Sequence, residues 1–299
     1  MQHDADLDIF TANRPRLIRL AYRMLGSMGE AEDIAQDCWI RWQRTDTEEV
    51  REPAAFLTRI VTRLCLDAMK SARARRETYV GSWLPEPIVE LEDEKLPLDE
   101  LTLTLMLVLE RLSPLERAAF LLHDVFDVPL DEVATTLKRD AAAVRQLAVR
   151  ARKHMSAALP RFPAMREEGE RMAMLFFAAS TSGDLVALRS LLAKAVVLTS
   201  DGGGKVLTAL NPIVGVERVL RLFEGLHRKL ASKAAVLVQP VWVDGLPGYV
   251  SLGRDGMPQT TALAIEDGRI SGIYMTRNPD KLGQIKRILA AQGRSSRPH

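Results

Sequence analysis

The stretch from Pro129 to Met155 constrains the fold more than any other part of the sequence, and it reads PLDEVATTLKRDAAAVRQLAVRARKHM. Its pattern predicts a short helix, a turn at Lys138-Arg139-Asp140 and a second helix. Asp140 stands where its carboxylate can cap the free amides of the second helix. Two helices joined by a tight turn make a helix-turn-helix unit, and here the second helix is rich in arginine.

The second of these helices has one apolar and one polar face. Val144, Leu147 and Ala148 recur at the spacing of a buried stripe. The outward positions hold Arg145, Gln146, Val149, Arg150, Arg152 and Lys153. A basic helix presented in this way is typical of proteins that enter the DNA major groove. An ordinary helical hairpin with a solvated basic face is the alternative interpretation.

Size and composition indicate a multidomain globular protein. With 299 residues, 47% of them hydrophobic, two or three domains with ordinary cores are expected. No run of about 18 apolar residues occurs, so we expect no membrane span. The acidic start, MQHDADLDIF, does not resemble a signal peptide. Two cysteines, Cys38 and Cys65, favour a reducing cytoplasm and core packing, with a redox switch as the weaker alternative.

Positive charge is concentrated in two short clusters rather than spread along the chain. The net charge is only +2; residues 1–166 hold 24 basic and 27 acidic residues, and residues 167–299 hold 17 and 12. Both clusters, Lys70–Arg76 and Lys138–Lys153, lie in the acidic half. This distribution indicates local DNA contact combined with protein contacts elsewhere.

The first half of the chain reads as two helical units separated by a linker. Residues 1–76 predict a helical bundle, and residues 98–162 predict a second helical unit that contains a capping box at Ser113-Pro114-Leu115-Glu116. Residues 77–97 form the linker, which carries three prolines, an acidic run and the motif WLPEP at Trp83 to Pro87. A tryptophan and a leucine in a stiff proline frame predict that this motif docks on another surface.

Residues 167–299 predict an α+β domain. We expect helices at 171–180, 184–193 and 214–230, and strands at 195–199, 234–243, 249–253, 259–266 and 270–275. Hairpin turns are expected at Asp244-Gly245, Asp255-Gly256 and Asp267-Gly268. The predicted fold class is therefore multidomain, with two all-α units and one α+β unit in which helices cover a curved antiparallel sheet.

The motifs of the first half resemble those of the extracytoplasmic-function (ECF) sigma factors, which are alternative bacterial initiation factors. EAEDIAQDCWIRWQR is similar to the polymerase-docking helix of sigma region two, and RIVTRLCLDAMKSARARR to its promoter-melting helix. LSPLERAAFLLHDVFDVPLDEVA and the helix-turn-helix after it resemble sigma region four. The resemblance covers nearly all of residues 5–160 and implies RNA polymerase core and promoter DNA as partners.

In region two, the resemblance implies a polymerase-binding face and a contact with a flipped base. Asp33, Gln36 and Asp37 share one helix face, which in the family docks on the clamp of the polymerase largest subunit. Trp42 lies beside the polar loop at 45–53 that in the family cradles a flipped base of the −10 element. Trp39 has two equally supported interpretations, which are packing in the helical core and contact with the flipped base.

The promoter-melting helix and the helix-turn-helix supply the remaining predicted DNA contacts. Arg63 stands where many relatives have Asn, and an Arg can stack on or bond to a base. Base contacts in the −35 element are predicted for Arg145, Gln146, Val149 and Arg150, since arginine suits guanine and glutamine suits adenine. Phosphate contacts are predicted for Lys70, Arg73, Arg75, Arg76, Arg152 and Lys153.

The third unit resembles a SnoaL-like domain, the cone-shaped α+β fold shared with polyketide cyclases and ketosteroid isomerase, which one sigma subfamily carries as an extension. WLPEP, DGGGK and NPDKL carry the resemblance. The regulatory residues that it implies are Trp83, Leu84, Pro85, Glu86, Pro87, Asp201, Gly202, Gly203, Gly204, Lys205, Asn278, Pro279, Asp280, Lys281 and Leu282. The glycines of DGGGK indicate a backbone-shaped turn, and a phosphate-binding loop is the weaker alternative because P-loop spacing is lacking.

Two hypotheses for the third unit stay open. It either regulates, by contacting the sigma regions or the linker and setting their separation, or it is an enzyme or ligand sensor. Candidates for the second hypothesis, by residue type only, are Asp201, His227, Asp244 and Tyr274. A further alternative for the whole chain is a helix-turn-helix regulator that binds DNA without polymerase, for which the Asp33/Gln36/Asp37 face has no use.

The favoured interpretation is non-enzymatic. We expect no catalytic residue and no cofactor, and no metal site, because the five histidines and two cysteines are scattered along the chain. We expect a cytoplasmic protein without membrane contact. It should act as a monomer, since a sigma factor reads an asymmetric promoter, with its C-terminal domain in intramolecular contact with the sigma domains.

Overall fold

The chain folds into two compact units, each described here by itself. The structure is a computed structural model that describes residues 2–77, 79–90, 103–156, 166–229 and 235–295. One unit comprises Met1–Thr78 and Leu105–Leu159, and the other comprises Tyr79–Thr104 and Pro160–His299. Residues 79–90 of the predicted linker therefore belong to the same unit as the C-terminal part of the chain.

Three helices make up the first half of the helical unit. α1 spans Gln2–Leu25, α2 spans Met28–Gln43 and α3 spans Pro53–Glu77, with a 3-10 turn at Thr47–Glu49 in the polar loop. Gly26 ends α1 with a φ of 74°, a conformation that costs glycine little. Ser27 caps α2 by accepting a hydrogen bond from the Glu30 amide. The turn therefore reverses the chain so that the apolar faces of the helices pack together.

Both cysteines lie in this helical core. Cys38 and Cys65 are buried and form no disulfide. Burial raises the pKa of the Cys38 thiol to about 12, and burial also raises the pKa of Cys65 well above its ordinary value. Protonated, buried thiols pack as small apolar groups, so the predicted core role of both residues is confirmed.

The second half of the helical unit contains the helix-turn-helix. Its helices are α4 (Leu103–Leu109), α5 (Pro114–Phe120), α6 (Leu130–Leu137) and α7 (Ala141–Ser156). The predicted capping box between Ser113 and Glu116 is confirmed at the start of α5. After Phe120, α5 continues into a π-helical turn at Leu121–Val125. The Asp140 cap is confirmed, since its Oδ1 accepts from the Ala143 amide at 2.7 Å.

A buried arginine joins the two halves of the helical unit. The Arg117 side chain is 1% exposed and donates from Nη1 to the Met24 carbonyl at 2.7 Å and to Glu110 Oε1 at 2.6 Å. A buried guanidinium is costly unless its charge is paired, and Glu110 supplies the opposite charge here. The region between α1 and α5 is therefore held by a charged contact as well as by apolar packing.

A seven-stranded sheet organises the second unit, with strand order β1-β4-β5-β6-β7-β2-β3. Neighbouring strands are antiparallel, except that β2 and β7 run parallel. The α+β prediction is confirmed. The strands are β1 Val89–Glu90, β2 Leu192–Asp201, β3 Ile213–Val214, β4 Val236–Val243, β5 Leu246–Leu252, β6 Pro258–Glu266 and β7 Arg269–Thr276; the helices are α8 Arg166–Ser182, α9 Leu185–Leu191, α10 Val216–Lys229 and α11 Gly283–Ser295.

The hairpin turns form where the Asp-Gly pairs predicted them. Asp244-Gly245 and Asp267-Gly268 have positive φ at both residues, as the type I′ turn requires. Asp255-Gly256 lies in the connection between β5 and β6. The helix that we predicted to reach Ala193 ends at Leu191, because Leu192 already pairs with β7.

The sheet has a core on each face. On one face α8, α9 and α10 pack on β2 and β5–β7, with Phe176 and Phe223 in edge contact at its centre. On the other face, Ile285 of α11 and Val89 of the linker pack on β4–β6. The linker strand β1 therefore contributes both a strand and a core side chain to this unit. Within the described ranges, no helix is long and apolar enough to cross a membrane.

Replacing Asp140 with Ala should lower the free energy of unfolding of the helical unit by about 1 kcal/mol, because the first turn of α7 loses its side-chain acceptor. Asp140→Ser keeps an acceptor and should stay close to the parent protein. Urea unfolding followed by circular dichroism measures both variants. Equal stability of the Ala variant and the parent would show that the cap contributes nothing.

Candidate functional site

The α7 helix presents the predicted DNA-binding face. Val144, Leu147 and Ala148 are buried against the rest of the helical unit. Val149 is 60% exposed, which leaves an apolar side chain in solvent beside charged neighbours. All six predicted contact residues are exposed: Arg145, Gln146, Val149, Arg150, Arg152 and Lys153. The division of α7 into a buried and an outward face is thus as the sequence predicted.

Two arginines of this face are held in place by acidic residues on neighbouring elements. Arg150 Nε lies 2.8 Å from Glu116 Oε1, and Arg152 Nε lies 2.5 Å from Asp124 Oδ1. Hydrogen bonds from Arg150 and Ser113 hold the pKa of Glu116 below its ordinary value. Glu116 therefore stays ionised and orients the guanidinium on the surface of α7.

The predicted polymerase-binding face of α2 is fully in solvent. Asp33, Gln36 and Asp37 are exposed, whereas Ile34 and Ala35 between them are buried. The i, i+3, i+4 spacing brings the three polar side chains to one side of the helix. Two carboxylates and an amide thus form a small acidic surface.

Trp42 is not on the surface, so the prediction that it contacts a base is wrong for this structure. Its side chain is fully buried, its Nε1 donates to the Asp6 carbonyl at 3.1 Å, and its ring lies 5.9 Å from that of Phe56. The physical reason is position, since Trp42 continues the buried stripe of α2 that includes Cys38. Trp39 packs its ring 5.0 Å from Phe10.

The basic residues of α3 differ in their surroundings. Arg63 is half-buried, and its Nε donates to the Thr136 carbonyl at 3.4 Å. Lys70 is exposed and lies 2.7 Å from the Asp67 carboxylate. Arg73, Arg75 and Arg76 lie on α3, but their side chains fall outside the described residues. Arg63 therefore contacts a distant part of the helical unit, whereas Lys70 pairs with a neighbour on its own helix.

A buried carboxylate, that of Asp201 at the end of β2, is the centre of the predicted regulatory motifs. It is 0% exposed. Oδ1 accepts from the Tyr79 hydroxyl at 2.6 Å and the Gly203 amide at 3.0 Å. Oδ2 accepts from Lys281 Nζ at 2.7 Å and the Leu84 amide at 2.9 Å. We call these residues the linker cluster; it joins WLPEP, DGGGK and NPDKL in one place.

The NPDKL segment completes the linker cluster. Asn278 Nδ2 donates to the Tyr79 hydroxyl at 2.9 Å, and Lys281 Nζ donates to the Leu84 carbonyl at 2.5 Å. The Lys281 ammonium also lies 4.3 Å from the Trp83 ring centroid, within cation–π range. Burial and the neighbouring Asp201 raise the pKa of Tyr79, so its hydroxyl remains a donor.

The DGGGK turn is shaped by its glycines, as predicted. Gly203 and Gly204 have φ values of 61° and 71°, and a Cβ on Gly202 would meet the Val206 carbonyl at 2.2 Å. The Lys205 amide donates to the Gly202 carbonyl, so this amide is turned inward. The turn thus serves the protein's own contacts, and a phosphate-binding role has no support in its geometry.

The linker residues after WLPEP are also held against the α+β unit, by strand pairing and side-chain hydrogen bonds. Leu84 and Val89 are buried. β1 pairs antiparallel with β4, so that Val89 lies opposite Val243. The Gln284 side chain exchanges two hydrogen bonds with the Val89 backbone, at 3.0 and 2.9 Å. The prediction that WLPEP docks on another surface is therefore correct, and that surface is the α+β unit.

The candidate catalytic residues are not brought together. Asp201 belongs to the linker cluster, and Asp244 Oδ2 accepts from the Ile88 amide at 3.2 Å. His227 contacts Arg254 near a cavity, and Tyr274 packs against the other face of the sheet. Among the described residues, no group of three His, Cys, Asp or Glu side chains has the arrangement of a metal site.

Sequence reasoning missed Tyr79 and Gln284. Both lie next to predicted motifs, but their partners are 122 and 195 residues away in the sequence. A tyrosine just before a docking motif is a weak signal for such a contact. Local sequence patterns give no stronger signal for these contacts, because the partners are so far apart in the sequence.

Comparison with known proteins identifies the family. Residues 9–75 match the Sigma-70 region 2 family, and residues 102–155 match the Sigma-70 region 4 family. The chain belongs to the extracytoplasmic-function RNA polymerase sigma factors. The order of regions read from the sequence is therefore confirmed.

Individual relatives extend the match to the C-terminal part. The chain is 39% identical over 290 residues to the ECF RNA polymerase sigma factor SigJ of Mycobacterium tuberculosis (strain ATCC 25618 / H37Rv), with 91% of each chain covered. It is 33% identical over 294 residues to the probable ECF sigma factor SigI of M. tuberculosis (strain CDC 1551 / Oshkosh), covering 95% of this chain and 97% of that one. The crystal structure of M. tuberculosis SigJ matches with a TM-score of 0.75 and 37% identity, over 92% and 98% of the two chains. The α+β unit is thus the SnoaL-like domain of this kind of sigma factor.

Replacing Asp201 with Ala should destabilise the α+β unit by about 3–5 kcal/mol, because the largely buried Lys281 side chain, 14% exposed, loses its counter-charge. Lys205→Ala, in the same motif, breaks only the exposed ion pair with Asp280 and should cost about 0–1 kcal/mol. Thermal unfolding of the full chain measures both. Similar effects of the two variants would contradict the assignment of Asp201 as the centre of the linker cluster.

Proposed function

We propose that this sigma factor docks on polymerase through α2, reads the −35 element through α7, and is regulated by its own SnoaL-like domain through the linker. One observation supports the first two parts: the helical unit buries one side of α2 and of α7 and leaves the predicted contact residues of both helices in solvent. Stable, exposed polar faces of this kind are preformed for partners.

Docking on the clamp of the polymerase largest subunit is assigned to Asp33, Gln36 and Asp37. The surface carries two negative charges and an amide, with Ile40 on the same helix 38% exposed. An acidic surface attracts a basic partner and fixes its orientation, while an exposed apolar residue adds contact area.

Reading of the −35 element is assigned to the outward face of α7. Arg145 and Gln146 can form paired hydrogen bonds to guanine and adenine, and exposed Val149 can contact a thymine methyl. Arg150 is also exposed and is oriented by Glu116. Arg152 and Lys153 lie toward the end of the helix and are assigned to phosphates.

Contact with the −10 element is assigned to the polar loop at 45–53 and to α3. Lys70, Arg73, Arg75 and Arg76 are the phosphate-contacting residues, and Arg63 contacts a base or stacks on one. Trp42 is no longer assigned to this role because it is buried. We therefore assign the base contact to the loop and Arg63.

Regions two and four contact each other within the helical unit, which we interpret as a resting state. Arg63 donates to the Thr136 carbonyl, and Arg16 donates to the Phe126 carbonyl at 3.0 Å, with its guanidinium 5.5 Å from the Phe126 ring. The −10 and −35 elements lie about two helical turns apart on DNA, so the regions must separate to read both. Separation would release Arg63 for the promoter.

Regulation by the SnoaL-like domain is assigned to the linker cluster. The segment that leads from region two toward region four is held by Asp201, Lys281 and β4. A bound linker offers less reach than a free one of the same length, so this domain sets how far the regions can separate. The role is non-catalytic, because Asp201 and Asp244 are both used by backbone groups of the linker. The protein would act as a monomer in the cytoplasm, where core polymerase is found.

Promoter-specific run-off transcription with bacterial core polymerase tests the polymerase contact. Asp37→Lys reverses a charge on the α2 face and should reduce the specific transcript by about tenfold or more, since like charges then meet at the clamp. Asp8→Lys, which reverses another exposed charge on α1, is the matched control and should leave transcription unchanged. Promoter-specific binding without any polymerase-dependent transcript would favour the stand-alone helix-turn-helix regulator instead.

Replacing Arg145 with Ala should cost about 1–3 kcal/mol of binding at one base position of the −35 element and relax the preference there. Lys153→Ala should weaken binding to all sequences about equally and reduce the salt dependence. Competition binding of holoenzyme to promoters substituted at single positions separates the two patterns. Uniform weakening by Arg145→Ala would make it a phosphate contact.

A further inference from the structure

A cavity inside the SnoaL-like domain is not used by the proposed function. It opens between α8, α10 and the inner face of β5–β7, and its volume is about 120 Å³. An apolar cavity of about 150 Å³ holds a benzene ring in other proteins. This cavity is somewhat smaller and is open on one side, so it admits at most a single ring whose polar substituents lie toward the opening.

The walls of the cavity are apolar. Phe177, Phe223, Leu226 and Met275 line it. Phe177 lies edge-on to Tyr249, with ring centroids 5.1 Å apart. Aromatic and thioether side chains around a small cavity favour a flat, apolar ligand body.

The inner end of the cavity carries hydrogen-bonding groups. Tyr249 is buried, and burial raises its pKa to about 12 against the opposing effect of the Thr261 and Ser180 hydroxyls beside it, so the phenol stays neutral. Gln259 Nε2 donates to Ser251 Oγ at 3.2 Å. Buried polar groups that converge on a cavity orient a ligand.

Two arginines stand on the polar side of the cavity. Arg254 donates to the Thr181 carbonyl at 2.5 Å, and Arg277 donates to the Leu207 carbonyl at 2.9 Å and to Asp255 at 2.5 Å. Arg277 Nε is buried and has no hydrogen-bond partner within the described part of the chain. A buried donor without an acceptor is costly, and a ligand oxygen would remove that cost.

The geometry points to a binding site for a small carboxylate on a one-ring apolar body, with the ring between Phe177 and Phe223 and the carboxylate toward Arg277 and Arg254. Two guanidinium groups and one carboxylate, Asp255, give this end of the cavity an excess of positive charge. Arginine is well suited to carboxylates because its planar fork matches their two oxygens.

Arg277 connects this site to the linker cluster. Its backbone amide donates to the Asp201 carbonyl at 2.8 Å, and the next residue, Asn278, donates to Tyr79. A ligand that engages Arg277 thus acts one residue from the segment that holds the linker. The site itself belongs to the α+β unit, so its existence does not depend on the promoter contacts proposed above.

Isothermal titration calorimetry on the full chain tests the site, with 4-hydroxybenzoate as the probe and 4-hydroxybenzamide as its uncharged counterpart. We expect saturable one-to-one binding of the carboxylate and at least about tenfold weaker binding of the amide, because the amide lacks the charge that arginine recognises. Absence of saturable carboxylate binding, or equal binding of the two probes, would overturn the proposal.

Three variants locate the binding. Arg277→Gln should weaken 4-hydroxybenzoate binding about tenfold, whereas Arg189→Gln, an exposed arginine of the same domain, should leave it unchanged. Ser180→Leu fills the cavity and should abolish binding while circular dichroism shows an intact fold. If Arg277→Gln fails to fold, the Ser180→Leu result decides. Unaltered binding by a folded Ser180→Leu protein would place the ligand elsewhere and overturn the proposal.

Discussion

The buried carboxylate of Asp201 determines how the linker and the C-terminal domain are joined. Moving an ion out of water costs several kcal/mol, which must be offset by close charge and hydrogen-bond partners. Here the partners come from three separate stretches of chain: Tyr79 and Leu84, the Gly203 turn, and Lys281. Removal of Lys281 would leave the carboxylate without its counter-charge, and removal of either other stretch would take away hydrogen-bond donors, so the three act together.

Apolar burial, like the buried charge of Asp201, stabilises the attachment of the linker to the C-terminal domain. Leu84 is 0% exposed and Val89 is 1% exposed, and β1 extends the sheet by pairing with β4. A proline-rich segment is suited to this role because it loses less conformational entropy when it is fixed. The linker is thus held by a buried charge at one end and by strand pairing and packing at the other.

Local patterns predicted much of this structure from the sequence. The helix-turn-helix, the Asp140 cap, the Ser113 capping box and the Asp-Gly turns all depend on residues a few positions apart, and all form as expected. The prediction that Trp42 contacts a base is wrong, because its periodicity with Cys38, which marks the buried stripe of α2, is a stronger signal than its closeness to the polar loop.

What the sequence could not predict depends on contacts between distant segments. Neither the role of Tyr79 nor the burial of Arg117 follows from neighbouring residues, since both depend on partners about a hundred positions away. The cavity likewise arises from α8, α10 and three strands that meet only after folding. Motif resemblance brought WLPEP, DGGGK and NPDKL into one hypothesis, but the buried charge that joins them appears only in three dimensions.

The attachment of residues 79–90 to the C-terminal sheet has a consequence for building chimeric sigma factors. The segment is encoded between regions two and four, yet its Leu84 and Val89 side chains belong to the core of the α+β unit. A SnoaL-like domain grafted alone onto another sigma factor would lack an edge strand and expose the Asp201 carboxylate. The transferable module is therefore discontinuous, and a working graft must carry the linker and the C-terminal domain together.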